Sequence, residues 1–98
     1  MKKLYFDTPA EFEKLFSKKT REVTDGIVEG IETAIQDQKK SAMLFNIIFA
    51  NEEVSFEISL PQSEWVGALK NCLDYYHEHS ETDLAIDCWK LLECAKLQ

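Results

Sequence analysis

The sequence predicts an α+β fold in one domain over residues 1–98: a long N-terminal helix, an antiparallel β-hairpin and two C-terminal helices, in the order α-β-β-α-α. Three observations support this prediction. An apolar stripe with helical spacing follows a helix-start signal near residue 8, two short segments rich in β-branched and aromatic residues lie mid-chain, and two further helical stripes follow. A chain of 98 residues supports only one modest core.

The first predicted helix begins at Pro9. Thr8 suits the N-cap, proline is favoured at the first helical position, and Glu11 stands three residues after the threonine, as in a capping box. Apolar residues then recur at spacings of three, four and seven: Phe12, Leu15, Phe16, Val23, Ile27, Ile31 and Ala34. Because this stripe keeps its phase, we expect one long or gently bent helix from residue 9 to about residue 39, in preference to two helices broken near residues 24–26.

Two glycines lie on the apolar side of this helix, where each costs about 1 kcal/mol relative to alanine. Gly26, Gly30 and Ala34 are spaced four apart, so together they predict a flat groove that another backbone can approach closely. The occupant of this groove is either the sheet of the same chain or a second subunit.

Residues 41–50 and 54–60 predict the two strands of the hairpin, joined by a short turn at residues 51–53. The first strand is apolar on both sides, with Met43, Phe45, Ile47 and Phe49 on one face and Leu44 and Ile48 on the other. The second strand alternates, with Val54, Phe56, Ile58 and Leu60 inward and Ser55, Glu57 and Ser59 outward.

A two-stranded sheet is marginal, and a strand that is apolar on both faces leaves an edge that needs covering or pairing. Residues 2–6 offer a short candidate edge strand, but no third strand is convincing. We therefore expect a homodimer, in which two hairpins can join into a four-stranded sheet. The candidate dimer contacts are Gly26, Gly30, Ala34, Leu44 and Ile48.

The C-terminal part predicts two helices. Ser63 suits an N-cap, and a stripe of Trp65, Leu69, Cys72 and Tyr76 indicates a helix over residues 64–79. Ser80 suits the next N-cap, and the apolar face that follows is Leu84, Cys88, Leu91, Leu92 and Ala95. Tyr75 is turned about 100° from the stripe that contains Tyr76, so we expect Tyr75 at the surface.

The net charge of −7 belongs entirely to residues 41–98, which hold three Lys and ten Asp/Glu. This balance disfavours direct nucleic-acid binding, which needs clustered Lys and Arg. The basic group near residues 14–21 is interleaved with acids, and the spacing predicts the pairs Lys18 with Glu22 and Arg21 with Asp25. With neither a signal peptide nor an apolar run of membrane-spanning length, the expected protein is soluble, cytoplasmic and not bound to a membrane.

Few residues suggest chemistry. Cys72, Cys88 and Cys94 lack CxxC spacing and are expected to be buried or half-buried reduced thiols. His77 and His79 stand among acids at a helix end, but they are two residues apart and diverge, which suits a metal site poorly. No phosphate-binding loop, nucleophile elbow, zinc-protease or dinucleotide motif is present. We therefore expect no catalytic residues, no metal and no cofactor.

The sequence favours a small acidic accessory protein, of a kind common in bacteria and phages, that acts as a homodimeric protein–protein interaction module. Its predicted partner surface is Tyr75, Glu78, Glu81, Asp83 and Asp87. One alternative is an acidic mimic of nucleic acid that occupies a basic site on another protein. A weaker alternative is a small enzyme or metal-binding protein that uses His77 and His79.

Overall fold

A computed structural model describes residues 2–17, 20–49 and 54–98. Over these ranges the protein is α+β, with four α-helices and one mixed three-stranded sheet. The elements in chain order are β1 (Lys2–Phe6), α1 (Pro9–Ser17), α2 (Arg21–Gln36), β2 (Ser41–Phe49), β3 (Val54–Pro61), a 3-10 turn (Gln62–Glu64), α3 (Trp65–Glu78) and α4 (Thr82–Lys96). The two predicted hairpin strands and the two C-terminal helices are confirmed.

The sheet has a third strand, so the prediction of a hairpin alone is wrong. β2 is central, with β1 parallel on one side and β3 antiparallel on the other. β1 pairs with residues 45–49, which places Leu4 opposite Ile47 and Phe6 opposite Phe49. The β2 edge that was expected to need a partner hairpin is therefore covered, from Phe45 onward, by the chain's own N-terminus.

A β-bulge in β2 changes the predicted faces of this strand. The register with β3 shifts between Met43 and Phe45, so Leu44 has no direct partner in the ladder. Leu44 and Phe45 are both buried, whereas Met43 is 39% exposed. The prediction that Met43 shares the face of Phe45 is wrong, because an extra residue in one strand reverses the alternation on either side of it.

The prediction of one long N-terminal helix is also wrong, because the residues of its apolar stripe are divided between two helices, α1 and α2. α2 begins after Thr20, whose extended backbone and side chain form an N-cap: its Oγ1 accepts a hydrogen bond from Val23 N at 3.2 Å. The break therefore comes before residues 24–26. A helix that restarts at a good capping residue can turn, and the turn lets α1 contact β1 while α2 packs on β2.

The predicted start of the first helix at Pro9 is confirmed. Glu11 N donates to Thr8 Oγ1 at 3.4 Å, which is the first part of the capping box. The Glu11 carboxylate accepts from Asp7 N at 3.1 Å, one residue before the cap, in place of the Thr8 N–H that a capping box uses. α1 then contributes Phe12 to an aromatic cluster. The members of this cluster come from four different elements: Phe6, Phe12, Phe49 and Phe56. In the contacting pairs, the ring centroids lie 5.7–6.3 Å apart.

The predicted N-caps of the two C-terminal helices are wrong, since neither α3 nor α4 has a side-chain cap. Ser80 instead has a φ of 56° and ends α3. Ser80 N donates to His77 O, and Glu81 N donates to Tyr76 O, which is the Schellman pattern of helix termination. The end of α2 repeats this pattern at Gln38, whose φ is 55°.

Trp65 joins the sheet to the C-terminal helices. Its side chain is fully buried at the start of α3, and its indole Nε1 donates a hydrogen bond to Leu60 O at 2.9 Å. α3 in turn packs between α2 and α4. The core therefore extends from the inner face of the sheet, across α2, to the contact between α3 and α4.

Candidate functional site

The chain's own strand β2 lies against the predicted glycine groove on α2. A cavity of about 390 Å³ remains beside this contact, lined in part by Gly26, Gly30, Ala34, Met43 and Leu44. A Cβ added at Gly26 would lie 2.6 Å from the Phe45 ring atom Cζ, and one at Gly30 would lie 2.6 Å from Leu44 Cδ2 and 3.1 Å from Met43 O. Real Cβ atoms do not approach other atoms as closely as 2.6 Å. These positions are glycine because β2 lies against the helix there.

Most of the residues predicted as dimer contacts are therefore buried by packing within the one chain. Gly26, Ala34 and Leu44 are buried within it, and Gly30 is half-buried against β2. Ile48 differs, because it is half-buried on the outer face of the sheet, directly opposite Tyr5 of β1. Tyr5 is 66% exposed, so this pair is the apolar part of the outer sheet face.

The prediction that Tyr75 lies at the surface is wrong. Its side chain is only 7% exposed, and its ring stacks on that of His79 with centroids 4.1 Å apart. Because α3 packs against both α2 and α4, two faces of this helix are covered, and Tyr75 and Tyr76 are both buried. A single apolar stripe gives no indication of a second covered face.

The exposed aromatic residue of the C-terminal helices is Trp89. It is 53% exposed, and Ile86, one helical turn before it, is 47% exposed. Both line a groove of about 490 Å³ between α3 and α4, hereafter the α3–α4 groove. Its lining residues are Leu73, Tyr76, His77, Ser80, Glu81, Thr82, Ala85, Ile86 and Trp89. The sequence contains a signal for this surface, since Ile86 and Trp89 are three residues apart and both fall outside the α4 stripe.

A polar network attaches the wall of the groove to α2. Tyr76 Oη donates to Asp25 Oδ1 at 2.5 Å, and the Arg21 guanidinium bridges Asp25 at 3.4 Å and Glu81 at 2.8 Å. The predicted pair Arg21 with Asp25 is confirmed, whereas Lys18 lies outside the described residues. Burial, followed by the hydrogen bond to Asp25, raises the pKa of Tyr76 far above its ordinary value, so this phenol keeps its proton throughout the neutral range and acts as the hydrogen-bond donor.

Three of the four acids in the predicted partner surface are exposed. Glu78, Asp83 and Asp87, together with Asp74 on α3, make no ion pair with any residue that the structure describes. Glu81 differs, because its carboxylate is held by Arg21 and lies in the wall of the α3–α4 groove. Of the four acids in the predicted surface, one therefore lies in the groove wall and three are exposed and make no ion pair within the described chain.

The cysteines form no disulfide within the described chain. Cys72 and Cys88 are buried, and their thiols donate to the backbone oxygens of Thr24 and Leu69. Burial raises the pKa of the Cys88 thiol to about 11, which keeps it protonated and unreactive at neutral pH. Cys94 is exposed, contrary to the prediction that all three are at least half-buried.

The two histidines point to different surroundings. His77 lines the α3–α4 groove, while His79 stacks on Tyr75 and its Nδ1 lies 2.9 Å from Tyr75 O. Among the described residues, no three His, Cys, Asp or Glu side chains are grouped as metal ligands.

Two further findings concern the chain as a whole. In the part that the structure describes, the helices are too short or too polar to cross a membrane. Comparisons with protein-family models, with characterised proteins and with solved structures yielded no match to this chain.

Proposed function

We propose that this protein is a small intracellular interaction module that binds a protein partner through the α3–α4 groove and performs no catalytic step. The observation that carries the proposal is the exposure of Ile86 and Trp89 on one wall of the same groove. Tryptophan is among the residues that most often dominate the energy of protein interfaces, and exposed apolar side chains grouped in a groove mark such surfaces.

α3 and α4 also carry the exposed carboxylates of Glu78, Asp83 and Asp87, and surface charge contributes to the rate and selectivity of association. Trp89 takes the role that the sequence suggested for Tyr75. The network of Tyr76, Asp25 and Arg21 fixes the wall of the groove, which reduces the ordering that a partner has to impose on it.

A second candidate function is mimicry of nucleic acid at a basic site on another protein. It is favoured by the free carboxylates and by the net charge of −7. The two functions predict that binding responds differently to salt and to substitution of the carboxylates or of Trp89. Mimicry depends on the carboxylates and weakens steeply with salt, whereas an aromatic interface depends on Trp89 and persists at higher ionic strength.

We also propose that the working form is a homodimer. β2 is paired on both sides from Phe45 onward, so the support for this comes from the outer sheet face, where Tyr5 is 66% exposed and stands opposite half-buried Ile48. Size exclusion with light scattering at micromolar concentrations tests it. We expect a dimer that becomes a monomer in the double variant Tyr5→Ser with Ile48→Ser, and a wild-type monomer would contradict it.

The interaction function is tested by affinity capture from cells of the native host, comparing wild type with Trp89→Ala and with Leu97→Ala, an exposed apolar residue outside the groove, as a matched control. We expect a specific partner that is lost with Trp89→Ala at both low and high salt and is retained with Leu97→Ala. A partner that is retained by Trp89→Ala but lost when Glu78, Asp83 and Asp87 become lysine would favour mimicry instead.

A further inference from the structure

We propose that the outer edge of β3, at Ser55, Glu57 and Ser59 (hereafter the β3 edge), binds an extended segment of a partner protein. The segment adds a fourth strand to the three-stranded sheet through main-chain hydrogen bonds. It alternates apolar and polar residues and carries a lysine or arginine opposite Glu57. This inference goes beyond the proposed function, because no described residue of β3 lines the α3–α4 groove.

The β3 edge has no strand beside it in the described sheet. The strand order is β1-β2-β3, and residues 54–61 pair with β2 alone. Ser55, Phe56, Glu57 and Ser59 are all exposed, so the edge is accessible from solvent. An unpaired strand presents a row of N–H and C=O groups, and an extended backbone is the partner whose own groups match that row.

One hydrogen bond identifies the main-chain groups that face outward. Gln62, which directly follows β3, donates from its N–H to Lys40 O at 2.9 Å, on the side of β2. Successive residues of a strand turn their N–H and C=O groups to opposite edges, so the other even-numbered residues of β3 also face β2. The odd-numbered residues before Pro61 therefore turn a donor and an acceptor each toward the outer edge: Ser55, Glu57 and Ser59.

β3 lacks the features by which many edge strands avoid pairing, which include lysines, bulges and an internal proline. The bulge of this sheet is in β2, between Met43 and Phe45, and the proline of β3 is its last residue. β1, the opposite edge strand, begins with Lys2 and Lys3 and has five residues, whereas β3 has eight and no lysine. Of the two edges, β3 is the one suited to accept a further strand.

The side chains of β3 specify the segment. On the face of the sheet where Phe12 contacts Phe56, Phe56 is 40% exposed and Ile58 and Leu60 are half-buried. Apolar side chains on an added strand would remove more of this surface from water. On the opposite face Glu57 is the only charged residue of β3, and a lysine or arginine across from it forms a pair of opposite charge.

Selection from a random peptide library on the immobilised full chain tests this inference. We expect enriched peptides in which apolar and polar residues alternate and a Lys or Arg is among the polar ones. The most enriched peptide is then made in two forms, with N-methyl groups on alternate residues or on the intervening ones. Because only one set of its N–H groups faces β3, one form should bind like the parent and the other at least tenfold more weakly.

Variants of the chain locate the binding site. Ser59→Pro removes an outward N–H and keeps the hydrogen bonds to β2, so it should weaken peptide binding at least tenfold. Ser59→Ala keeps that N–H and is the matched control, which should bind like wild type. Glu57→Lys should weaken binding about threefold. Circular dichroism and urea unfolding check that the proline variant is folded, and the methylated peptides test the same contact on wild type.

The outcomes separate this inference from the proposed function. The inference is overturned if no peptide is enriched, or if the enriched peptides tolerate both methylation patterns or bind Ser59→Pro like wild type. Peptides that are lost only with Trp89→Ala would overturn it and support the α3–α4 groove. A wild-type dimer that Ser59→Pro converts to a monomer in light scattering would assign the β3 edge to a second copy, and would also overturn it. Failure of the capture experiment with Trp89→Ala would contradict the proposed function and leave the β3 edge unaffected.

Discussion

The contact between α2 and β2 and the contact between α3 and α4 use side chains of opposite size. Each contact has a groove beside it, of about 390 Å³ and about 490 Å³ respectively. At the α2–β2 contact, glycines let the strand lie against the helix, with Phe45 and Leu44 filling the space over them. At the α3–α4 contact, Ile86 and Trp89 stand beside a groove that no described residue fills. Small residues bring two elements together, whereas large apolar residues left in solvent invite another molecule.

The comparison also separates structural residues from functional candidates. Gly26 and Gly30 are accounted for by the packing of β2, so their presence in the helix needs no partner. Nothing in the packing of the described chain accounts for the exposure of Trp89. The following predictions test this division, in order of expected effect.

The two tryptophans give the largest contrast. Trp65→Ala should lower the free energy of unfolding by about 3–5 kcal/mol, because it empties a fully buried site and removes the hydrogen bond to Leu60 O. Trp89→Ala should lower it by less than about 1 kcal/mol, because its side chain is half exposed. Urea unfolding followed by circular dichroism measures both. An equal cost for both variants would mean that the α3–α4 groove is closed in solution.

The glycines give the next contrast. Gly26→Ala should destabilise the protein by about 1–3 kcal/mol, because the methyl group overlaps the Phe45 ring and outweighs the helical gain. Gly67 is the matched control: a Cβ added there meets nothing within 4 Å, so Gly67→Ala should stabilise the protein by about 0.5–1 kcal/mol. Thermal unfolding of the two variants should shift in opposite directions. Stabilisation by Gly26→Ala would show that β2 does not lie against α2.

The polar network behind the groove should have a smaller effect that depends on pH. Tyr76→Phe removes the donor to Asp25 and should cost about 1–2 kcal/mol at pH 8. The pKa of Tyr76 is raised by folding, so the unfolded chain loses this proton first, and the contribution of Tyr76 to stability falls as pH rises above its ordinary pKa of 10.0.

At pH 10.5 the stability difference between wild type and Tyr76→Phe should therefore be smaller than at pH 8 by about 0.8 kcal/mol. Urea unfolding at the two pH values measures this change. Cys88, whose pKa is also raised, is present in both proteins, so its contribution cancels in the difference. A difference that is constant or grows with pH would contradict the buried, hydrogen-bonded phenol.

The smallest predicted effects are gains at the ends of α2 and α3. Gln38 and Ser80 have positive φ values that favour glycine, so Gln38→Gly and Ser80→Gly should each stabilise the protein by about 0.5–1 kcal/mol. Ser80 lines the α3–α4 groove, whereas Gln38 does not. Urea unfolding should give similar gains for both. A loss at Ser80 alone would indicate that its hydroxyl has a role in the groove.

Features that depend on neighbouring residues were predictable from the sequence. The helix start at Pro9 with its Thr8 cap and the helical stripes of α3 and α4 are local patterns, and each forms as expected. The β3 strand also forms, but Phe56, which its alternation predicts to point inward, is 40% exposed. The candidate site was predicted less well. Its acids are exposed, but its aromatic member is Trp89 because a second covered face of α3 buries Tyr75.

The sequence by itself determined where β2, β3, α3 and α4 lie and where the first helix begins, because spacing and turn residues act over a few positions. Only the tertiary structure decided what covers each face. β1 finds its partner about forty residues along the chain, the bulge at Leu44 reverses the faces of β2, and Thr20 divides the helical stripe so that α1 and α2 pack separately. These choices depend on contacts between residues far apart in sequence, where packing outweighs local preference.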